Sequence, residues 1–285
     1  MALLDNRTQL SVLVDGLDHP EGVAWGLDGY AYAGGEAGQI YRIDVGNQDV
    51  VQVADTKGFI LGLALDANNN IYACDVKHKS IIKITPGGIT STYSTGTRNE
   101  PFILPNFLTF DSSGYMYVSD SGEWKEDNGR IYKVHPGGQT EVWCRELETF
   151  PNGHCLGPDG DYLYIAMSLN QPRVERIRIE DDGSAGSHET VVELPSTVPD
   201  GVAFDVDGNM YVSMYRPDRI YRYSSSGELA VLADDYEGTI IAGPTNVAFC
   251  GIKRDILLSA NIGRWHITKL EANATGITLQ YPSLE

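Results

Sequence analysis

Cationic side chains are scarce in this sequence. Lys and Arg number 21 against 39 Asp and Glu, a formal net charge of −18 over 285 residues. Nucleic acid and anionic membrane surfaces are gripped by clustered Lys and Arg, so both are excluded as expected partners. The acidity serves solubility, and a bound divalent cation would offset part of it. Apolar runs long enough for a membrane-spanning helix are missing. Met1-Ala2-Leu3-Leu4 passes straight into Asp5 and Asn6, without the basic start or the apolar stretch of a secretion signal. A cytoplasmic location is therefore expected, and the sequons Asn6-Arg7-Thr8 and Asn273-Ala274-Thr275 count as chance matches. Cysteine is also rare. Cys74, Cys144, Cys155 and Cys250 show no metal-type spacing, and they are expected as reduced, small core residues. No stretch sustains a helical period.

Glycine (31) and tyrosine (16) are plentiful, as suits short strands joined by tight turns. Period-two alternation recurs in Ile40-Tyr41-Arg42-Ile43, Ile81-Ile82-Lys83-Ile84, Ile131-Tyr132-Lys133-Val134 and Ile220-Tyr221-Arg222-Tyr223, each a half-buried strand. Turn chemistry separates such runs: Leu27-Asp28-Gly29, Asn68-Asn69-Asn70, Ser113-Gly114, Asp159-Gly160 and Asp207-Gly208.

One phrase repeats along the chain. It opens at Pro20-Glu21-Gly22-Val23-Ala24-Trp25, Pro105-Asn106-Phe107, Pro151-Asn152-Gly153-His154, Pro199-Asp200-Gly201-Val202-Ala203-Phe204-Asp205 and Thr245-Asn246-Val247-Ala248-Phe249. Leu61-Gly62-Leu63-Ala64-Leu65-Asp66 is a copy without the polar residue. Aligned on these phrases, Glu21, Gly62, Asn106, Asn152, Asp200 and Asn246 form one column at intervals of 41 to 48 residues. Each interval holds four short strands; in the fifth copy these are 199–204, 209–214, 219–224 and 228–233. A period of this length with four strands is the mark of a propeller. The predicted fold is all-β: a six-bladed β-propeller of four-stranded antiparallel blades, forming a single domain over residues 1–285. The last blade supplies about 245–249, 256–260 and 265–270 and needs an outer strand. Leu10–Asp15 resembles Leu229–Asp234 and is predicted to fill the place, with Gly276–Tyr281 as the competing candidate.

The first strand of each blade lines the central channel, so the column becomes a ring of oxygens at one channel end. Carboxylates and amide carbonyls form a hard ligand set. It suits Ca²⁺ first, then Mg²⁺ or Mn²⁺, with an oxygen-rich Zn²⁺ site the remaining option. The competing reading treats each Asn or Asp after proline as a turn cap. Caps have no reason to share a column. Gly62 would leave one sector open for a ligand.

These motifs, at these spacings, resemble the senescence-marker-protein/gluconolactonase/luciferin-regenerating-enzyme-like family over essentially the whole chain. The resemblance implies a six-bladed propeller with a divalent metal in its channel. It implies Glu21, Asn152 and Asp200 as metal ligands and Asn106 as a fourth channel residue touching metal or substrate. It also implies Asp200 as the general base. The chain departs from the family in two ways. Phe107 stands where many sugar lactonases carry Asp, and no arginine matches the sugar-gripping one, although Arg98 is nearby. Phe102, Phe107 and Trp124 point to a more apolar pocket.

The expected function is divalent-metal-dependent hydrolysis of a lactone or similar small cyclic ester by a monomer or weak homo-oligomer. Asn106, Asn246, His154, Phe107, Glu123 and Trp124 are expected to contact the substrate. His19, Asp120 and Arg216 are weaker candidates at the channel mouth. The alternatives are a phosphotriesterase, lyase or hydratase on the same site, or a non-catalytic propeller stabilised by Ca²⁺.

Overall fold

In a computed structural model, which describes residues 2–6 and 8–284, six four-stranded antiparallel sheets stand in a ring. Arg7 of the first sequon and Met1 of the amino-terminal stretch lie outside the described residues. No helix occurs among the described residues, and none is long and apolar enough to cross a membrane. The first strand of each sheet touches the first strand of the next, which closes the ring around an axial channel.

Blade five shows the plan. Its strands are Val198–Phe204, Met210–Arg216, Arg219–Tyr223 and Leu229–Asp234, in sequence order from the axis outward. The predicted spans agree to within two residues at either end. In blade six, Pro244–Cys250, Ile256–Asn261 and His266–Leu270 are completed by Leu10–Val14. That strand pairs Leu10 with Leu270 and Val12 with Thr268, so the amino-terminal segment provides the closing strand as expected. The competing segment around Gly276–Tyr281 has a different place. It crosses the far end of the channel, with Ile277 N donating to the Phe204 carbonyl (3.1 Å), Tyr281 Oη to the Trp25 carbonyl (2.7 Å) and Ala67 N to the Pro282 carbonyl (2.9 Å).

Each blade buries both faces against its neighbours. Tyr72, Phe102, Leu108, Phe110 and Tyr132 fill one such interface, between blades two and three. All four cysteines are free thiols; Cys74, Cys144 and Cys250 are buried and Cys155 is half-buried.

A buried aspartate fixes the hairpin after the first strand. Asp205 accepts from Asp207 N (3.0 Å), Asn209 N (2.8 Å), Asn209 Nδ2 (2.8 Å) and Tyr211 Oη (2.9 Å). Asp66 repeats this with Asn68, Asn70 and Tyr72. A carboxylate accepting several N–H and O–H groups satisfies donors the turn would otherwise leave unpaired. Asp205→Ala is expected to lower stability by about 2–4 kcal/mol because buried donors lose their acceptor. Urea unfolding measures this, and a loss below about 1 kcal/mol would show the turn holding without the carboxylate.

Candidate functional site

The column residues sit where the first strands begin, and there the register breaks. Pairing with the second strand slips between Ile60 and Leu63, Pro105 and Phe107, Pro151 and His154, Pro199 and Val202, and Pro244 and Asn246. A bulge turns a side chain out of the regular alternation, and bulges are common beside functional sites. Here the same irregularity in five blades releases the column residues from the sheet faces.

The structure also corrects the alignment in two blades. Neighbouring first strands lie so close that a Cβ added to Gly22 would meet Gly62 Cα at 3.2 Å. One on Gly62 would meet Phe107 Cα at 2.7 Å, and one on Gly201 would meet Asn246 Cα at 2.7 Å. Gly62 is therefore level with Gly22, and Asn246 with Gly201. The true members of the column are Leu61 and Thr245, one residue earlier. The matching turns agree, since Asp66 follows Leu61 by the same interval as Asp205 follows Asp200. The ring thus reads Glu21, Leu61, Asn106, Asn152, Asp200 and Thr245. Its apolar sector is Leu61.

Two serines that the sequence reading missed set the orientation of the asparagines. Ser168 Oγ donates to the Pro199 carbonyl of the next blade (2.6 Å), so its only proton is used. It must then accept from Asn152, which presents Nδ2 at 3.1 Å. Ser121 does the same in blade three, donating to the Pro151 carbonyl (2.7 Å) and accepting from Asn106 Nδ2 (2.9 Å). Each hydroxyl locks two blades together and directs an amide oxygen away from itself. Their sequence signal was faint: a serine at or just past the end of a second strand, in Ser119-Asp120-Ser121 and Met167-Ser168. In blade six, Thr245 Oγ1 donates to the Glu21 carbonyl (2.8 Å).

The ring concentrates carboxyl oxygens at one end of the channel. Burial pushes the Glu21 carboxyl up from 4.5 to about 7, with the Thr245 hydroxyl opposing and the Glu36 charge adding to the rise. Burial also raises Asp200 well above its usual value, and the Glu21 charge raises it further. Both residues keep partial contact with solvent, so the ring is reachable from the channel mouth. Asn152 Oδ1 is a buried acceptor without a hydrogen-bond partner among the described residues. Two close carboxylates and an orphaned amide oxygen fit a hard divalent cation, which would counter the charges and occupy the acceptor. Asn106, whose Nδ2 is similarly occupied, fits as a further oxygen donor.

Other expected residues are placed differently. His154 is fully buried, and its Nε2 lies 3.1 Å from the Tyr117 carbonyl. Its ring meets Phe107 edge to face at 5.4 Å. Burial pushes its pKa down to about 4, so it is neutral at physiological pH. Simple alternation put it on the face of Asn152; the bulge between Pro151 and His154 breaks that alternation. Asn246 accepts from Val23 N through Oδ1 (3.2 Å). Glu123 and Trp124 stand exposed on the loop after the second strand of blade three. Trp124 stacks edge-on against Phe150 at 5.1 Å, beside the Pro151-Asn152 pair, and no contact found among the described residues joins Glu123 to the ring.

Of the weaker candidates, Asp120 is a brace. It accepts from Ile103 N (2.6 Å), Leu104 N (2.9 Å) and Gly122 N (2.9 Å) and so fixes the approach to Asn106. Arg216 pairs with Asp218 (3.0 Å). His19 Nδ1 lies between Asp18 (3.0 Å) and Glu36 (2.9 Å).

The SMP-30/Gluconolactonase/LRE-like region matches residues 89–260 of this chain. Protein Strictosidine synthase-like 3 of Arabidopsis thaliana is 29% identical over 191 residues, 61% of this chain and 47% of that protein. Lactonase drp35 of Staphylococcus haemolyticus is 25% identical over 208 residues, 67% of this chain and 61% of that protein. The chain thus spans only about half to three fifths of the length of these curated relatives. The calcium-binding protein regucalcin from Agrobacterium tumefaciens has the same fold, with a TM-score of 0.78 at 17% identity over 96% of both chains.

Proposed function

The chain belongs to the SMP-30/gluconolactonase/LRE-like family, and from that premise we propose that it is a divalent-cation-dependent hydrolase of a lactone or similar small cyclic ester. The observation carrying the reading is that Glu21 and Asp200, whose charges interact, share the ring with Asn152, whose Oδ1 has no hydrogen-bond partner among the described residues. A lactonase among the relatives and a calcium-binding protein among the structural neighbours support it. Glu21, Asn152, Asp200 and Asn106 would hold the ion, with Ca²⁺ preferred for an all-oxygen set. When bound, such an ion polarises the ester carbonyl and lowers the pKa of the attacking water.

The remaining chemistry belongs to side chains. Asp200 accepts the proton of the attacking water, whose oxygen bonds to the carbonyl carbon. The ring C–O bond then breaks, and Asp200 returns the proton to the leaving alkoxide, giving a hydroxy acid. A base of this kind works best when its pKa approaches the operating pH. Asn106 and Asn152 cannot swing, because Ser121 and Ser168 hold their amide ends. Phe107, next to Asn106, puts an apolar surface where a sugar lactone would need a polar one. This favours aliphatic lactones over polyhydroxylated ones.

Elemental analysis of purified protein, paired with a panel of aliphatic lactones, sugar lactones, aryl esters and phosphotriesters, tests the reading. Stoichiometric calcium and chelator-sensitive lactone turnover are the expected results. Turnover of phosphotriesters alone would replace lactone chemistry with another reaction at the same ring.

The serine relay makes a separate prediction. Ser168→Ala frees the Asn152 amide to rotate and should weaken Ca²⁺ binding by about 10–100-fold, as loss of a supporting partner typically does. Calorimetric titration with Ca²⁺ reads this directly, and unchanged affinity would remove the serine from the role.

A further inference from the structure

Below the ring, the channel widens into a cavity of about 130 Å³ whose walls come from all six blades. Its width follows from one repeated choice. The third residue after each ring member is small: Ala24, Ala64, Thr109, Cys155, Ala203 and Ala248, and all six line the cavity. Larger side chains there would fill the axis. Ile277, Leu279 and Tyr281, from the segment that crosses the far end, form the floor. No charged residue lines it.

Thr109, Gln280, His154 and Asn246 are polar members of the lining. His154 points Nε2 at the Tyr117 carbonyl, so a neutral imidazole spends its proton there. Asn246 is 2% exposed. Its Oδ1 accepts from Val23 N, a group that can only donate, which fixes the amide orientation. Asn246 Nδ2 is left as a buried donor with no hydrogen-bond partner among the described residues. That nitrogen lies against Gly201, outside the cavity lining, and offers nothing to a ligand there.

We propose that this axial cavity is a second ligand site, distinct from the ring, for a compact, uncharged, apolar molecule. A small aromatic or alicyclic ring has that chemistry. The size is adequate, since an apolar cavity of about 150 Å³ stays dry and takes up benzene. Absence of any lining charge disfavours ionic ligands, which would lose their hydration without compensation. The inference stands on the cavity alone and does not depend on hydrolysis at the ring.

Benzene tests it. Binding to the full chain is followed by ligand-observed NMR titration and by melting temperature, with and without Ca²⁺. Benzene should bind the wild type. Ala203→Leu, which fills the axis, should abolish binding, and its own melting transition shows the variant folded. Failure of benzene to bind the wild type overturns the proposal, and so does undiminished binding to folded Ala203→Leu. Glu21→Gln separates this site from the ring: it should leave probe binding unchanged while Ca²⁺ binding falls.

Discussion

Asp200→Asn is expected to lower lactone hydrolysis by at least about a hundredfold, the scale of a lost general base, while the propeller stays folded. The substitution keeps the shape and one amide oxygen for a cation. It removes the atom that takes the water's proton. Melting temperature and secondary structure should stay within a narrow range of the wild type. In the cation-free protein the variant should even gain stability above neutral pH, because the repulsion between Asp200 and Glu21 is gone. Steady-state rates at saturating lactone and Ca²⁺ give the decisive number. A rate within a factor of two of the wild type would place the proton elsewhere.

Removal of the cation is expected to abolish turnover and to expose a pH dependence of stability with a definite sign. In the cation-free fold, Glu21 holds its proton up to about pH 7, against a usual value of 4.5. Asp200 is raised as well. A carboxyl that binds its proton more tightly when folded favours the fold most at low pH. Its stabilisation relative to the ionised state is lost as pH rises from the unfolded value to the folded one, and nothing further changes above it. For Glu21 the window runs from about pH 4.5 to about 7, and the loss amounts to roughly 3 kcal/mol. Ca²⁺ should restore that stability at pH 8 and add little at pH 5. Comparing urea unfolding of wild type and Glu21→Gln in chelator at both pH values isolates this group from the many surface carboxylates. A Glu21→Gln protein with the same pH response as the wild type would contradict the buried, uncompensated pair.

The architecture was open to sequence reading because it rests on two local signals. Alternation such as Ile220-Tyr221-Arg222-Tyr223 marks a strand, and Asp207-Gly208 marks the turn between the first two strands of the same blade; both depend on neighbours a few residues apart. Repetition then supplied the blade count. The ring was legible to within one residue in two blades and no better. Leu61-Gly62 and Thr245-Asn246 present glycine and asparagine where the eye seeks the polar column. Pro244 ahead of Thr245, and the interval from Leu61 to Asp66, already carried the right frame in the sequence. The lateral approach of the strands at Gly62 and Gly201 makes it plain. His154 was misplaced for a different reason. A bulge at Pro151–His154 changes which face a residue takes, and nothing in Asn-Gly-His announces it. Ser121 and Ser168 act through contacts with carbonyls of the following blade, some 30 residues on, a separation that no local pattern records.

Blade six joins residues 10–14 to residues 266–270, whereas every other blade is assembled from contiguous chain. During synthesis strand 10–14 must therefore wait, unpaired along its inner edge, until residues 266–270 have been made. Closing the circle then shuts a loop of about 250 residues, an entropic cost met before the contacts of the seam offset it. Tension applied between Leu10 and Leu270 would load this seam directly, because the two residues are partners across it.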